Sequence, residues 1–244
     1  MSKLEENKNS SMILWVVSKR EILKRKFNEV NVKEIGQKAL GLCHVPIAWT
    51  LPFFVITKDL ALDVCNRKES SLIIDQYIKN ILHAIDYLQL GEVLIIRSSG
   101  EKEGMAERGK YDSIVSGKSE LKLKLLELIK CLAENEEVVE SGIPLIVQKY
   151  AGNEIVGHLS NERRFSKEKR DFIYEYCVKG NIVEQGRISL RNWRQKYDIE
   201  VYKLQSLLYE ESLNLKETMK IICAFFYYNN IRTHVELVCA DNIL

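Results

Sequence analysis

Arg97, Ser98, Ser99 and the three glycines in the stretch from Arg97 to Ser113, RSSGEKEGMAERGKYDS, have the chemistry to bind an anion such as phosphate. The stretch follows the apolar run EVLIIR, which predicts a buried strand that ends at the arginine. A guanidinium stays charged and donates in fixed directions, and glycines let backbone N–H groups approach phosphate oxygens closely. The alternative is a solvated loop that only connects two strands.

Part of this loop comes close to the phosphate-loop pattern G-x-x-x-x-G-K-[ST], because Gly104, Gly109 and Lys110 have its spacing. The last position is Tyr111, and a phenol cannot replace the hydroxyl that helps to hold magnesium there. A true phosphate loop also starts directly after its strand, whereas several residues separate Arg97 from Gly104. The sequence therefore disfavours this motif and leaves a different phosphate-binding loop open.

Composition limits the class of protein but nominates no partner. The chain has 244 residues, of which 46% are hydrophobic, so it can bury a core as one large domain or two smaller ones. Its 36 basic and 34 acidic residues leave a formal net charge of +2, which produces no long-range field toward nucleic acid or an anionic membrane. We therefore predict no nucleic-acid partner and no membrane partner.

The cysteines and the N-terminal segment favour a cytoplasmic location. The six cysteines are scattered without a C-x-x-C pair, which is typical of reduced thiols rather than of disulfides or a zinc site. The start of the chain, MSKLEENKNSSMILWVVSKRE, has a short apolar core between charged flanks. It predicts neither a signal peptide nor a membrane-spanning segment.

Alternating strand and helix patterns predict a mixed α/β fold. The predicted strands include MILWVVS, LPFFVITKDL, EVLIIR and GIPLIVQKYAG, and KREILKRKF is predicted as a short helix or turn. Apolar residues at helical spacing predict helices at 70–90 and 120–133, and further helices are expected at 204–213 and 216–228. The chain ends in a strand, HVELV, and a turn, so we expect its last hairpin to be incomplete.

Several short segments carry a resemblance to a known family. IGQKALGL is similar to a G-G-K-G-x-x-L loop, and LPFFVITKD is similar to a P-x-G-F-V-I-T strand. VLIIRSS resembles V-x-V-R-S-S before a glycine-containing lid loop, PLIVQKYAG resembles a V-V-V-Q strand, and THVELV resembles a D/H-I-E-W strand. In this order they resemble the N-terminal ATP-grasp nucleotide-binding domain of the phosphoenolpyruvate synthase and pyruvate phosphate dikinase family, which is also present in rifampicin phosphotransferases.

The resemblance implies a two-lobed ATP-grasp-like fold that binds Mg-ATP between its lobes. The implied N-terminal lobe is 1–140 and the implied C-terminal lobe, incomplete at its last hairpin, is 141–244. The resemblance implies six phosphate-binding residues: Lys38, Arg97, Ser98, Ser99, Gly104 and Gly109. Lys38 and Arg97 are also the implied catalytic pair. The adenine would lie near Gln148, Lys149 and Tyr150, and Glu236 would bind magnesium. Each residue also has a structural alternative, such as an ion pair or a solvated surface group.

The sequence departs from the family pattern in ways that leave activity open. Gln37 stands at the second glycine of the first motif, and VGHLSNERR stands where S-G-V-x-F-T is expected. The chain lacks the Gln-x-Arg expected beyond the I-E-W strand and the phosphohistidine motif T-x-x-G-G-x-x-S-H. The resemblance thus implies a phosphotransferase component that acts with a phosphohistidine-carrying domain or protein. A non-catalytic interaction module with the same architecture is the alternative.

Overall fold

The computed structural model has a mixed α/β fold with two compact units, residues 1–150 and 151–244. The mixed α/β prediction is therefore confirmed. The structure describes residues 13–26, 29–43, 45, 50–66, 71–101, 113–150, 152, 155–160, 171–178, 181–189, 222–223 and 234–239. The first unit extends past the predicted lobe boundary at residue 140, because the strand at 145–149 pairs within its sheet.

A mixed six-stranded sheet forms the first unit. Its strands are β1 Ile13–Val17, β2 Ile22–Lys26, β3 Phe53–Ile56, β4 Val93–Ser98, β5 Ser113–Gly117 and β6 Leu145–Lys149. They are ordered β2-β1-β3-β6-β4-β5 across the sheet. Only β1 and β3 are parallel among these pairs, and the others are antiparallel. The carboxyl ends of β1 and β3 therefore lie at the same edge of the sheet.

Five helices accompany this sheet in the described part of the unit. They are α1 Val32–Cys43, α2 Asp59–Cys65, α3 Ser71–Tyr87, α4 Leu121–Leu132 and α5 Glu136–Ser141. The predicted helices at 70–90 and 120–133 correspond to α3 and α4. The segment predicted as a short helix or turn instead contains β2, because Ser18 and Glu21 close a tight turn and Ile22–Lys26 pairs back on β1.

The two faces of the sheet bury different cores, since side chains alternate along each strand. One face packs against α2, α3 and α4 and contributes Val17, Phe54, Ile56, Leu94, Ile96, Leu145 and Val147. The other face, which we call the α1 face, contributes Leu14, Val16, Phe53, Val55 and Ile146. There Ile35, Ala39 and Cys43 of α1 complete the core. The α1 face also carries Arg97 and Gln148.

An antiparallel four-stranded sheet forms the second unit. Its strands are β7 Ile155–Ser160, β8 Asp171–Val178, β9 Asn181–Ser189 and β10 His234–Cys239, in the order β10-β7-β8-β9. Residues 204–213, and 216–228 apart from the helical pair 222–223, lie outside the described residues, as do residues 240–244. The predicted helices there and the incomplete last hairpin therefore stay predictions. Within the described segments, no helix combines the length and apolar character needed to cross a membrane.

Candidate functional site

Two of the predicted phosphate-binding segments are hydrogen-bonded to each other. The Ser99 hydroxyl donates to the Ile35 carbonyl at 2.7 Å and accepts from the Ala39 N–H at 3.0 Å, although these pairs are 64 and 60 residues apart in the chain. The Gln37 N–H donates to the Gly100 carbonyl at 3.0 Å. We call residues 35–39 with residues 99–100 the Gly36–Ser99 junction.

Gly36 makes the close approach possible. Its backbone has φ 77° and ψ 169°, which interrupts the helical geometry inside α1 and lies in a region that is almost exclusive to glycine. A Cβ at this position would lie 1.5 Å from the Ser99 carbonyl oxygen. The junction therefore requires glycine for two independent reasons, backbone conformation and space.

The Gly36–Ser99 junction can accommodate Gln37, which stands where the family motif has its second glycine. Its side chain is exposed, and the contact that it makes in the junction uses only its backbone N–H. Any residue except proline has that group. Glutamine can therefore replace the second glycine of the motif without disturbing the contact.

Lys38 lies within the junction, and Arg97 lies next to it in the chain. Lys38 lies between Gln37 and Ala39, whose N–H groups are bound by Gly100 and Ser99. Arg97 lies two residues before Ser99 on β4 and pairs with Ile146, which places it on the α1 face. Both residues are half-buried and engage in polar interactions. The structure thus joins the two backbone segments that carry these cations.

The two serines after Arg97 are more deeply buried than the arginine. Ser98 and Ser99 are fully buried. The Ser99 proton is committed to the Ile35 carbonyl, so the hydroxyl has no second proton to donate to a phosphate while that bond holds. Ser98 follows Ile96 by two residues and lies on the face that packs against α2, α3 and α4. Gly104 and Gly109 lie outside the described residues.

We expect Ser99→Ala to destabilise the chain by about 1–3 kcal/mol, because it leaves the buried Ile35 carbonyl and Ala39 N–H without this partner. Urea unfolding followed by circular dichroism measures the effect. Ser119→Ala, at an exposed position, is the matched control and should change stability by less than about 0.5 kcal/mol. Equal unfolding midpoints for the two variants would contradict a stabilising role for the bridge.

Gln148, Lys149 and Tyr150 lie at the end of β6, where the first unit ends. Gln148 is 8% exposed, and its side-chain amide donates to the Leu51 carbonyl at 3.1 Å. Lys149 has an exposed side chain, and its backbone N–H donates to the Pro52 carbonyl at 3.2 Å. The Tyr150 N–H donates to the Val93 carbonyl at 3.1 Å. These bonds hold the end of β6 firmly between β3 and β4.

The α1 face is incompletely covered at β4 and β5. Val93 and Val115 are 45% and 44% exposed, and Ile95, which pairs with both Val115 and Gln148, is half-buried. We call Val93, Ile95 and Val115 the open strip. Alternation places Arg97 in line with Val93 and Ile95 on the same strand face. An apolar surface therefore runs from the end of β6 toward a half-buried cation.

No protein-family model matches this chain, and no curated protein sequence matches it. The family resemblance consequently rests on short motifs. The Gly36–Ser99 junction is a separate geometric observation, and it concerns two of those motifs directly.

Glu236, the predicted magnesium ligand, lies in the second unit. It is in β10, where its backbone pairs with His158 of β7. Across the part of the chain that the structure describes, no group of three or more His, Cys, Asp or Glu side chains could hold a metal ion. The magnesium site therefore stays a prediction.

Burial also settles the chemistry of Cys43, the thiol nearest the junction on α1. Desolvation raises the pKa of the Cys43 thiol to about 12, so it is protonated at neutral pH. A thiol in this state is a poor nucleophile and a poor metal ligand. Cys43 therefore acts as part of the core of the α1 face.

The first unit also contains a cavity that the sequence did not predict. It has a volume of about 530 Å³ and is lined by Lys19, Arg20, Asp59, Asp63 and Tyr77, among others. It lies where β1 and β3 end, and open α/β sheets often bind ligands outside the carboxyl ends of parallel strands. The available signal was the pair of carboxylates four residues apart in DLALD, which overlaps the end of the predicted strand LPFFVITKDL.

Proposed function

We propose that this chain is an ATP-binding domain of the phosphoenolpyruvate synthase and pyruvate phosphate dikinase type. It would bind Mg-ATP for phosphoryl transfer to a histidine on a separate domain or protein. The observation that carries the proposal is the Gly36–Ser99 junction, because it joins the segment containing Lys38 to the segment containing Arg97.

The two cations suit a triphosphate. A triphosphate requires donors that stay charged, and a guanidinium and an ammonium both meet this requirement at neutral pH. Their half-buried positions make each charge more effective than it would be in open water. The junction fixes the backbone on both sides of Lys38, which limits the conformational entropy that phosphate binding would cost.

The open strip suits the base and sugar. Val93 and Arg97 are four residues apart on β4, which corresponds to about 13 Å along a strand. That separation allows an apolar ring to contact the strip while the phosphates reach Arg97. Gln148 and Tyr150 lie at the polar end of the strip, where they can contact the edge of the base, and alternation places the Lys149 side chain on the opposite face of the sheet.

In this proposal, the chain contributes position and charge rather than a covalent step. Lys38 and Arg97 would hold the phosphates in line with the acceptor and neutralise charge as it develops during transfer. Magnesium would neutralise further charge when bound, and Glu236 is its candidate ligand by resemblance. Ser99 acts as a positioning residue through its bonds to Ile35 and Ala39.

A calorimetric titration with Mg-ATP tests the proposal. We expect the parent chain to bind, and we expect Lys38→Ala and Arg97→Ala each to weaken binding about tenfold or more, which corresponds to about 1.4 kcal/mol. The physical reason is the loss of a half-buried positive charge next to the phosphates. Lys33→Ala, which removes an exposed lysine from the same helix, is the matched control and should bind as the parent does.

Circular dichroism should first establish that every variant is folded. A folded parent chain that gives no heat and no thermal stabilisation with Mg-ATP would contradict the proposal. Binding that Lys38→Ala and Arg97→Ala leave unchanged would show that the nucleotide lies elsewhere.

A further inference from the structure

The cavity at the carboxyl ends of β1 and β3 is separate from the candidate nucleotide site. Leu62 of α2 and Tyr77 of α3 line it, and both helices pack on the face of the sheet opposite α1. Its volume of about 530 Å³ is within the usual range for small-molecule sites, about 300–1,000 Å³. It contains none of the residues assigned above to ATP.

The wall that carries the positive charges is held in place. The turn between β1 and β2 closes through the Ser18 N–H and hydroxyl, which donate to the Glu21 carbonyl at 2.9 and 3.0 Å. The Asn80 side chain of α3 donates to the Ser18 and Lys19 carbonyls at 3.0 and 3.3 Å. Lys19 and Arg20 therefore extend from a backbone that is fixed against α3.

Two carboxylates of one helix also line the cavity. Asp59 and Asp63 are four residues apart on α2, so they lie on the same side of the helix and repel each other. The Lys19 ammonium is 3.7 Å from the Asp63 carboxylate, which is longer than a hydrogen bond. Lys19 is thus close enough to attract the Asp63 carboxylate but does not form a hydrogen bond to it.

Tyr77, a buried hydrogen-bond donor, is also among the residues that line the cavity. The residue is fully buried, and its hydroxyl is 3.5 Å from the Asp63 carboxylate, well beyond the usual 2.7–2.8 Å for this kind of bond. Burial raises the pKa of Tyr77, and the negative charges of Asp63 and Asp59 raise it further. The phenol therefore keeps its proton and stays a donor to the Asp63 carboxylate.

We propose that this cavity binds a small zwitterion of the α-amino acid class. The ligand's ammonium binds Asp59 and Asp63, and its carboxylate binds Lys19 and Arg20. Such a ligand replaces the long Lys19–Asp63 contact by two shorter ion pairs and relieves the repulsion between the two aspartates. Tyr77 continues to donate its hydroxyl to the Asp63 carboxylate.

The lining distinguishes a zwitterion from simpler ligands. A simple anion that reaches Lys19 and Arg20 is repelled by the two aspartates that line the same cavity. A metal ion that reaches Asp59 and Asp63 finds no third His, Cys, Asp or Glu ligand among the described residues. One molecule that carries both charges can pair with the two cations and with the two carboxylates at once.

A thermal-shift screen of the proteinogenic L-amino acids, followed by calorimetric titration of those that stabilise the chain, tests the inference. We expect at least one amino acid to bind saturably and Asp63→Asn to weaken it about tenfold or more. Lys19→Ala should also weaken binding, because it removes the partner of the ligand's carboxylate. Asp75→Asn, which removes an exposed α3 carboxylate paired with Lys122 outside the cavity, should leave the affinity unchanged.

Propylamine and propionate, which each carry one of the two charges, should bind far more weakly than the amino acid. The inference is overturned if no amino acid stabilises the folded chain, or if Asp63→Asn binds as well as the parent. It is also overturned if propionate or magnesium chloride alone gives the Asp63-dependent signal. Repeating the titration with Arg97→Ala, which should bind the amino acid normally, separates this result from the outcome of the ATP experiment.

Discussion

A Gly36→Ala chain should lose more than about 4 kcal/mol of folding stability, an exceptional loss for a single added methyl group. The new Cβ would lie 1.5 Å from the Ser99 carbonyl oxygen and 2.3 Å from the carbonyl carbon. Both atoms belong to the backbone, so no rotamer change can relieve the contact. The φ of 77° adds strain of about 1–3 kcal/mol for a residue with a side chain.

Relief of the clash requires α1 to separate from the segment after β4. That movement breaks the bonds that join Ser99 to Ile35 and Ala39, so nucleotide binding should fall together with stability. Urea unfolding followed by circular dichroism measures the first effect, and titration with Mg-ATP of whatever fraction remains folded measures the second.

Gly41→Ala provides the control within the same helix. A Cβ at Gly41 has nothing within 4 Å, so alanine should be tolerated there and should stabilise the helix by about 0.5–1 kcal/mol. If Gly36→Ala unfolded at the same urea concentration as Gly41→Ala, that result would contradict the close contact between Gly36 and the Ser99 backbone.

Local patterns predicted most of the first unit because its elements follow simple periodicities. The apolar positions of α3 recur at helical spacing, and the cores of β3 and β6 form short apolar runs. β2 was predicted wrongly because its sequence, ILKRK, has only two apolar residues and is half exposed. Its strand conformation depends on pairing with β1 through the Ser18–Glu21 turn, which local propensity does not encode.

The candidate phosphate-binding residues came from the family resemblance, and their assignment stays a prediction. The contact between Gly36 and Ser99 was not predicted, because it depends on the fold of the chain between them. The cavity was missed for the same reason. Its cations lie after β1 and its carboxylates lie after β3, and only the parallel pairing of these strands brings them together.

Gly142→Ala tests the wall of that cavity through a second close approach, and we expect a loss of about 2–5 kcal/mol. Gly142 ends α5 with φ 69° and ψ 173°, again in a region that favours glycine. A Cβ there would lie 2.5 Å from the Lys58 carbonyl oxygen and 2.7 Å from Cγ of Leu62. The loss should be smaller than for Gly36→Ala, because part of the clash is with a side chain that can move.

Gly91→Ala separates the two causes of this loss. Gly91 has φ 83°, but a Cβ there has nothing within 4 Å, so its substitution should cost only the backbone strain, about 1–3 kcal/mol. The extra loss in Gly142→Ala then measures the clash with α2. Because Leu62 lines the cavity and the new methyl group pushes it, Gly142→Ala should also change amino-acid affinity, whereas Gly91→Ala should not. Equal unfolding free energies for the two variants would show that Gly142 is required only for its backbone conformation.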